Sequence, residues 1–150
     1  MDVSQFLIED NEARVAELVR GARRIAVLGI KTEQQATQPA FYVARYLADA
    51  GVEVIPVPVY YPEVKTILGR PVYRRIADVP GPGTIDIVDV FRRSEDVAAH
   101  LPDLLAARPR AVWLQLGIRD NTTARRLAEA GITVVQDRCL MVDHRRYAGR

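Results

Sequence analysis

Runs of consecutive apolar residues punctuate the chain at 25–28, 52–57, 85–91, 111–116 and 132–135. Between them, apolar side chains recur every three or four residues, the period of a helix with one buried stripe. The stretch 4–20 carries Ile8, Val15, Leu18 and Val19 on one face, with Ser4 as its cap and Gly21 as its stop. A second helix opens at Pro39, turns Ala40, Val43, Ala44, Leu47 and Ala48 inward, and closes at Gly51. A third follows Ser94 with Val97, Leu101, Leu104 and Leu105 inward, and Pro102 forces a kink or a division into two short helices. A fourth, capped by Asp120 or Asn121, carries Ala124, Leu127 and Ala128 and ends at Gly131.

Strands that are apolar at successive positions, rather than at alternate ones, are buried on both faces. Their alternation with helices predicts an α/β fold: a doubly wound, mainly parallel five-stranded sheet covered by helices on both faces, in a single domain over 1–150. Pro56 and Pro58 at the exit of the second strand tell against a long central ladder there. Residues 60–77 read as a connector with a short extended piece within 68–73. Asp86 and Asp89 interrupt the third run, which predicts a wet face or a wet end for that strand. The likeness of 44–54 to 124–134 reflects shared physics, a helix closing on glycine before a buried strand, rather than duplication.

Composition narrows the function. A chain of 150 residues is long enough for a real core. A net charge of +2, with few aromatics and none interleaved with basic residues, argues against a nucleic-acid surface. Arg145 and Arg146 read as a solvated tail. The single cysteine, Cys139, allows no internal disulfide. No run approaches the ~18 apolar residues of a membrane span, and the acidic, amphipathic N-terminus lacks the order of a signal peptide. The expectation is a cytoplasmic domain with no membrane partner.

In a doubly wound sheet, ligands bind beyond the carboxyl ends of the strands. Here those ends deliver Gly29, Ile30 and Lys31; Pro56, Val57 and Pro58; Phe91, Arg92 and Arg93; Gln115, Leu116 and Gly117; and Asp137, Arg138 and Cys139. Glycines, cations, an amide and a thiol thus collect on one rim. A turn of backbone amides ahead of a helix is an anion site. The first turn has one glycine where the dinucleotide fingerprint needs three, and no acidic residue follows the second strand, so NAD is disfavoured. Two guanidinium groups directly after a buried strand need anions, either Asp89, Glu95 and Asp96 or the phosphates of a ligand. Gln115 breaks an apolar strand and must be hydrogen-bonded, to a neighbouring loop or to a ligand amide. Trp113 reads as core and His100 as surface. Cys139, with His144 five residues on as base, is a candidate nucleophile without a third group to orient that base. Asp137, Cys139, Asp143 and His144 have no recognised metal-ligand spacing.

Together the segments 25–31, 39–47, 54–57, 85–93, 112–118 and 134–144 resemble the small single-domain CoA-binding proteins, whose fold is similar to the CoA-binding domain of the succinyl-CoA synthetase α subunit. The resemblance runs from about Arg24 to His144. It implies a Rossmann-like fold holding coenzyme A along the first turn, the second-strand exit and the segments around Arg92, Gln115 and Cys139, with Pro39 and Tyr42 at the start of the following helix. Two features depart from it. Pro58-Val59 stands where the family has Asn-Pro, and the loop 32–38 is longer than usual.

The expected function is binding of CoA or acyl-CoA without chemistry of its own. The alternatives are a CoA-dependent acyl transferase using Cys139, and a ligand-sensing subunit that meets a protein partner or a second copy through the helix at 4–20.

Overall fold

The computed structural model describes residues 2–149. Its strands are β1 (Arg24–Leu28), β2 (Glu53–Val57), β3 (Thr66–Ile67), β4 (Arg70–Pro71), β5 (Ile87–Val90), β6 (Ala111–Leu114) and β7 (Thr133–Val135). Its α-helices are α1 (Glu12–Gly21), α2 (Pro39–Asp49), α3 (Leu101–Ala107), α4 (Asn121–Glu129) and α5 (Leu140–Tyr147). Five strands form one all-parallel sheet in the order β2-β1-β5-β6-β7, while β3 and β4 make a separate small hairpin. The chain leaves β1 in one direction to reach β2, then returns past β1 to reach β5. The carboxyl ends of β1 and β5 are therefore the topological switch point.

Both faces of the sheet are buried, which is why its strands read as unbroken apolar runs. Ile25, Val27, Val54, Ile87, Trp113 and Val135 pack beneath α1, α2 and α5. Ala26, Leu28, Ile55, Val88, Val112, Leu114 and Val134 pack beneath α3 and α4 and the 3₁₀ turn Ile76–Asp78. Pro56 lies inside β2, where a missing N–H is harmless because β2 is an edge strand paired only with β1 in the sheet. Pro102 sits in the first turn of α3, directly after the 3₁₀ turn Ser94–His100, so the expected division into two short helices is present.

Several expectations are corrected. The first helix begins at Glu12, not at Ser4, which belongs to a separate 3₁₀ turn, Ser4–Phe6. Asn11 is the true cap, its side chain accepting from the Arg14 amide at 3.1 Å. Ile8 owes its burial to the open edge of β7, where its amide donates to the Val134 carbonyl at 3.1 Å. Arg145 and Arg146 are exposed, as expected, but belong to the last turn of α5 rather than to a tail, lying over the Tyr46 and Tyr147 rings at 5.1 and 5.9 Å. No helix among the described residues is long and apolar enough to cross a membrane.

Asp89 is the sharpest correction. It is fully buried rather than wet, between Val27 and Trp113 in register, and neither carboxyl oxygen has a partner among the described residues. Burial pushes its carboxyl well above the usual carboxylate range. The folded chain thus holds this proton to higher pH than the unfolded chain does. Its contribution to stability is full below the ordinary carboxylate pKa and is lost as pH rises through the raised value. Asp86 behaves differently, its carboxylate capping the start of β1 through the amides of Arg23 and Arg24 at 2.8 and 2.9 Å.

Two ion pairs of one arginine tie α1, the turn after β7 and α5 together. Arg138 binds Asp143 through two bonds of 2.8 and 2.7 Å, reaches Glu12 at 2.6 and 3.0 Å, and donates to the Glu9 carbonyl at 2.7 Å. Asp143 is almost wholly buried. The Arg138 guanidinium and the Tyr147 hydroxyl hold Glu12 down to a pKa of about 2, while Arg138 itself is raised by its carboxylate partners.

Two outcomes follow for stability. Asp89→Val should stabilise the fold by about 1–3 kcal/mol at neutral pH, and its advantage over the parent should grow in denaturant titrations as pH rises above the ordinary carboxylate range. Arg138→Met leaves Asp143 buried without its partner and should cost about 3–5 kcal/mol in the same measurement.

Candidate functional site

A cleft of about 760 Å³ opens where the start of α2 faces the exits of β5, β6 and β7, well inside the roughly 300–1,000 Å³ usual for small-molecule sites. It is lined by Gln38, Pro39, Ala40 and Tyr42 at the start of α2, by residues 91–95 and 115–118 at the exits of β5 and β6, and by Tyr60 and Cys139. The parallel register Val90↔Leu114 carries Phe91 and Gln115 out side by side as the floor.

The turn after β1 supports this cleft from outside. Gly29 has φ +86°, and a Cβ built on it would stand 2.2 Å from the Phe91 carbonyl oxygen. Its amide donates to Val57 at 2.9 Å, and the Phe91 amide donates to Leu28 at 2.8 Å. Glycine is required there by backbone conformation and by the closeness of β5. Downstream, Thr32 caps the 3₁₀ turn Glu33–Gln35 in a reciprocal capping box, and Glu33 accepts from the Leu68 amide at 2.8 Å. The long loop 32–38 is thereby fastened to the β3–β4 hairpin before Pro39 starts α2.

Two cations stand on the cleft wall in different states. Arg92 is mostly buried and held from several sides: Nε donates to His100 Nε2 at 3.2 Å, Asp96 lies 3.8 Å away, and the guanidinium sits 5.7 Å from the centre of the Tyr60 ring. Arg93 is exposed, its Nε 3.0 Å from Asp96 and 3.6 Å from Glu95, and these carboxylates raise its pKa. The buried Gln115 accepts from the Leu140 amide at 3.0 Å. Its Nε2 donates to no acceptor among the described residues. Cys139, half-buried, precedes α5 without capping it through its side chain. Gly117 is fastened by its amide to Asp137 Oδ1 at 2.7 Å, and Leu116 projects, 69% exposed.

Residues 23–145 match the family model of the CoA binding domain. The chain belongs to this CoA-binding family. The uncharacterized protein YneT of Bacillus subtilis (strain 168) is 33% identical over 134 residues, 89% of this chain and 94% of that one. A solved Thermus thermophilus structure, cell-free ID.343, is similar at a TM-score of 0.81 and 41% identity, covering 91% of this chain and 98% of its own. An acetyl-coenzyme A synthetase of Ca. Korarchaeum cryptofilum matches 79% of this chain with 26% of its length, at a TM-score of 0.65 and 19% identity, a likeness of fold alone.

Within this CoA-binding domain the cleft brings together Pro39, Tyr42, Phe91, Arg92, Arg93, Gln115, Leu116, Gly117 and Cys139. It leaves out the other rim residues expected from sequence. Ile30, Pro56, Val57 and Pro58 are buried in the sheet and its packing, Gly29 faces the β5 backbone, and Lys31 donates to the Gln38 side chain one step behind the wall. His144 is turned away as well. Its Nδ1 lies 3.0 Å from the Tyr46 hydroxyl, burial lowers its pKa, and it borders a separate hollow with Asp49 and Ala50. Cys139 lines the cleft and His144 the other hollow. No cluster of metal-ligating side chains occurs among the described residues.

Sequence reading missed Tyr60 and His100. Tyr60 lies three residues beyond β2, outside any periodic element. His100 was expected at the surface of a helix, but the 3₁₀ turn brings its ring onto Arg92.

Gly29→Ala should lose about 1–3 kcal/mol from its left-handed backbone alone, and more from the clash with Phe91. Gly69→Ala, at φ +72° with no atom near the added methyl, isolates the conformational part. Urea unfolding of both variants should show Gly29→Ala as the more damaging.

Proposed function

We propose that this cleft binds coenzyme A, free or acylated, and that the chain acts as a binding protein rather than as an enzyme. The observation that carries the reading is that one cleft beside the switch point brings together an anchored cation, an unused amide donor and a thiol. Arg92 and Arg93 are suited to the phosphates, since guanidinium groups pair with phosphate oxygens through two parallel bonds. Gln115 Nε2 is suited to a carbonyl of the pantetheine amides. Tyr42, Leu116 and Ile118 supply apolar wall between them. When bound, coenzyme A supplies a thiol able to carry an acyl group, and the order of residues directs that thiol toward Cys139. Both histidines are engaged elsewhere, His144 with Tyr46 and His100 with Arg92, which favours binding without acyl transfer. The apolar residues of α1 are spent on the core, with Val15, Leu18 and Val19 buried, which favours a packing role for that helix over a docking face.

Coenzyme A should raise the melting temperature, by the equivalent of about 2.7 kcal/mol at a hundredfold excess over Kd, and should slow alkylation of Cys139. Arg92→Ala should weaken both effects together. No shift at millimolar CoA would sink the reading. Turnover of an acyl-CoA abolished by Cys139→Ser would replace it with the transferase.

A further inference from the structure

We propose that His100 is a positioning residue that holds Arg92 in the cleft, and that its need to be neutral makes ligand binding there sensitive to acid. The proposal rests on the cleft being the CoA site described above.

A guanidinium has donors and no acceptor, and it stays charged. With Arg92 Nε 3.2 Å from His100 Nε2, the arginine is therefore the donor and the imidazole nitrogen the acceptor. This assigns the tautomer: His100 is neutral, with its proton on Nδ1. The other restraints on Arg92 are longer. Asp96 stands at 3.8 Å, the Tyr60 hydroxyl at 3.5 Å and the Tyr60 ring centre at 5.7 Å. The bond to His100 is the one that fixes the direction of Nε.

The charged groups around the imidazole come from three elements. Arg92 arrives from the β5 exit, Asp96 from the same 3₁₀ turn, and Asp103 from α3. Asp103 is itself bound by Arg75 from the connector, at 2.6 and 3.1 Å. The two carboxylates favour a proton on His100, but burial and Arg92 oppose it more strongly, and its pKa is lowered from the ordinary histidine value. The neutral acceptor therefore prevails at neutral pH. Below that range the imidazolium would place a second N–H and a like charge against Arg92. His100 does not line the cleft, so its new charge does not take the place of the displaced guanidinium at the ligand. Anion binding is then full above the ordinary histidine range and falls as pH drops through the lowered value.

The test measures the Kd of CoA by calorimetry between about pH 7.5 and pH 5 for the parent, His100→Gln and His100→Lys. The glutamine offers an oxygen acceptor that does not titrate, and the lysine is a permanent cation. Dividing each parent Kd by the glutamine value at the same pH cancels the titration of the ligand's own phosphates. The glutamine variant, relative to its own value at neutral pH, should hold its affinity in acid better than the parent does. The lysine variant should bind on the order of tenfold more weakly throughout, the loss of one charge-assisted hydrogen bond. Separately, an NMR titration of His100 without ligand should show its pKa rising in Arg92→Met. Parallel pH profiles for parent and glutamine variant, or an unmoved His100 titration in Arg92→Met, would overturn the positioning role. No CoA binding by the parent at any pH would overturn the CoA reading instead, and the NMR result would still decide whether His100 holds Arg92.

Discussion

The architecture of the rim depends on one close approach, that of Gly29 to the Phe91 carbonyl. β1 and β5 are the central neighbours of the sheet, and their exits must separate if a ligand is to sit at the switch point. They do not separate at once. The Phe91 amide still bonds Leu28, and the space a Cβ would need at Gly29 is filled by β5 backbone. The chain after β1 therefore closes the groove next to itself, and the opening is displaced toward β5 and β6. The wall facing that opening is supplied by the start of α2, ten residues after Gly29, once the loop 32–38 has been fastened by its own capping box.

The rest of the rim is fixed by side chains bonding to loops. Gln115 takes the Leu140 amide, Asp137 takes the Gly117 amide, and Gln136 takes the Asp120 amide at 2.7 Å. Asp120 in turn caps α4 through the Thr123 amide. Each of these bonds satisfies a backbone donor where a parallel strand ends and ladder partners run out. Arg138 completes the frame by pinning the turn before α5 to α1, with the Trp113 indole donating to its carbonyl at 2.8 Å. The thiol of Cys139 is thus carried on a turn braced from both sides. Polar residues buried at this edge do structural work first, and what they leave unused, such as Gln115 Nε2, is what a ligand can meet.

This division explains what could be read from the sequence. The five strands and their parallel pairing were legible because burial on both faces writes unbroken apolar runs, and the glycine stops and Pro102 marked helix ends by simple stereochemistry. The family was legible from the same segments. The site was legible only to the level of which loops reach the rim. Ile30 and Val57 are in the right loops but point into the core, a distinction that depends on where the next element packs. Asp89 misled because a buried, unpartnered carboxyl contradicts the rule that polar residues mark solvent. The beginning of α1 was misplaced because Ser4 and Asn11 are both good caps, and only the edge of β7, which captures residues 7 and 8, decides between them. The pairing of His100 with Arg92 lies beyond periodicity altogether, since it arises from a 3₁₀ turn where a helix was the simpler reading.

The two arginines of the cleft wall therefore have unequal parts. Arg93 is exposed and paired with Asp96 and Glu95 in solvent, where ion pairs contribute little and exchange easily. Turning it toward an anion loses little that it already has, but ordering its long side chain costs entropy. Arg92 has met that cost in the free protein: His100, Tyr60 and Asp96 hold it in a mostly buried position before any ligand arrives. A preorganised donor converts more of its interaction into affinity than a mobile one does. Adjacent in sequence and identical in chemistry, the pair is split by burial into one fixed and one exposed guanidinium, and under the proposed reading it is the fixed one, Arg92, that sets the geometry of a bound anion.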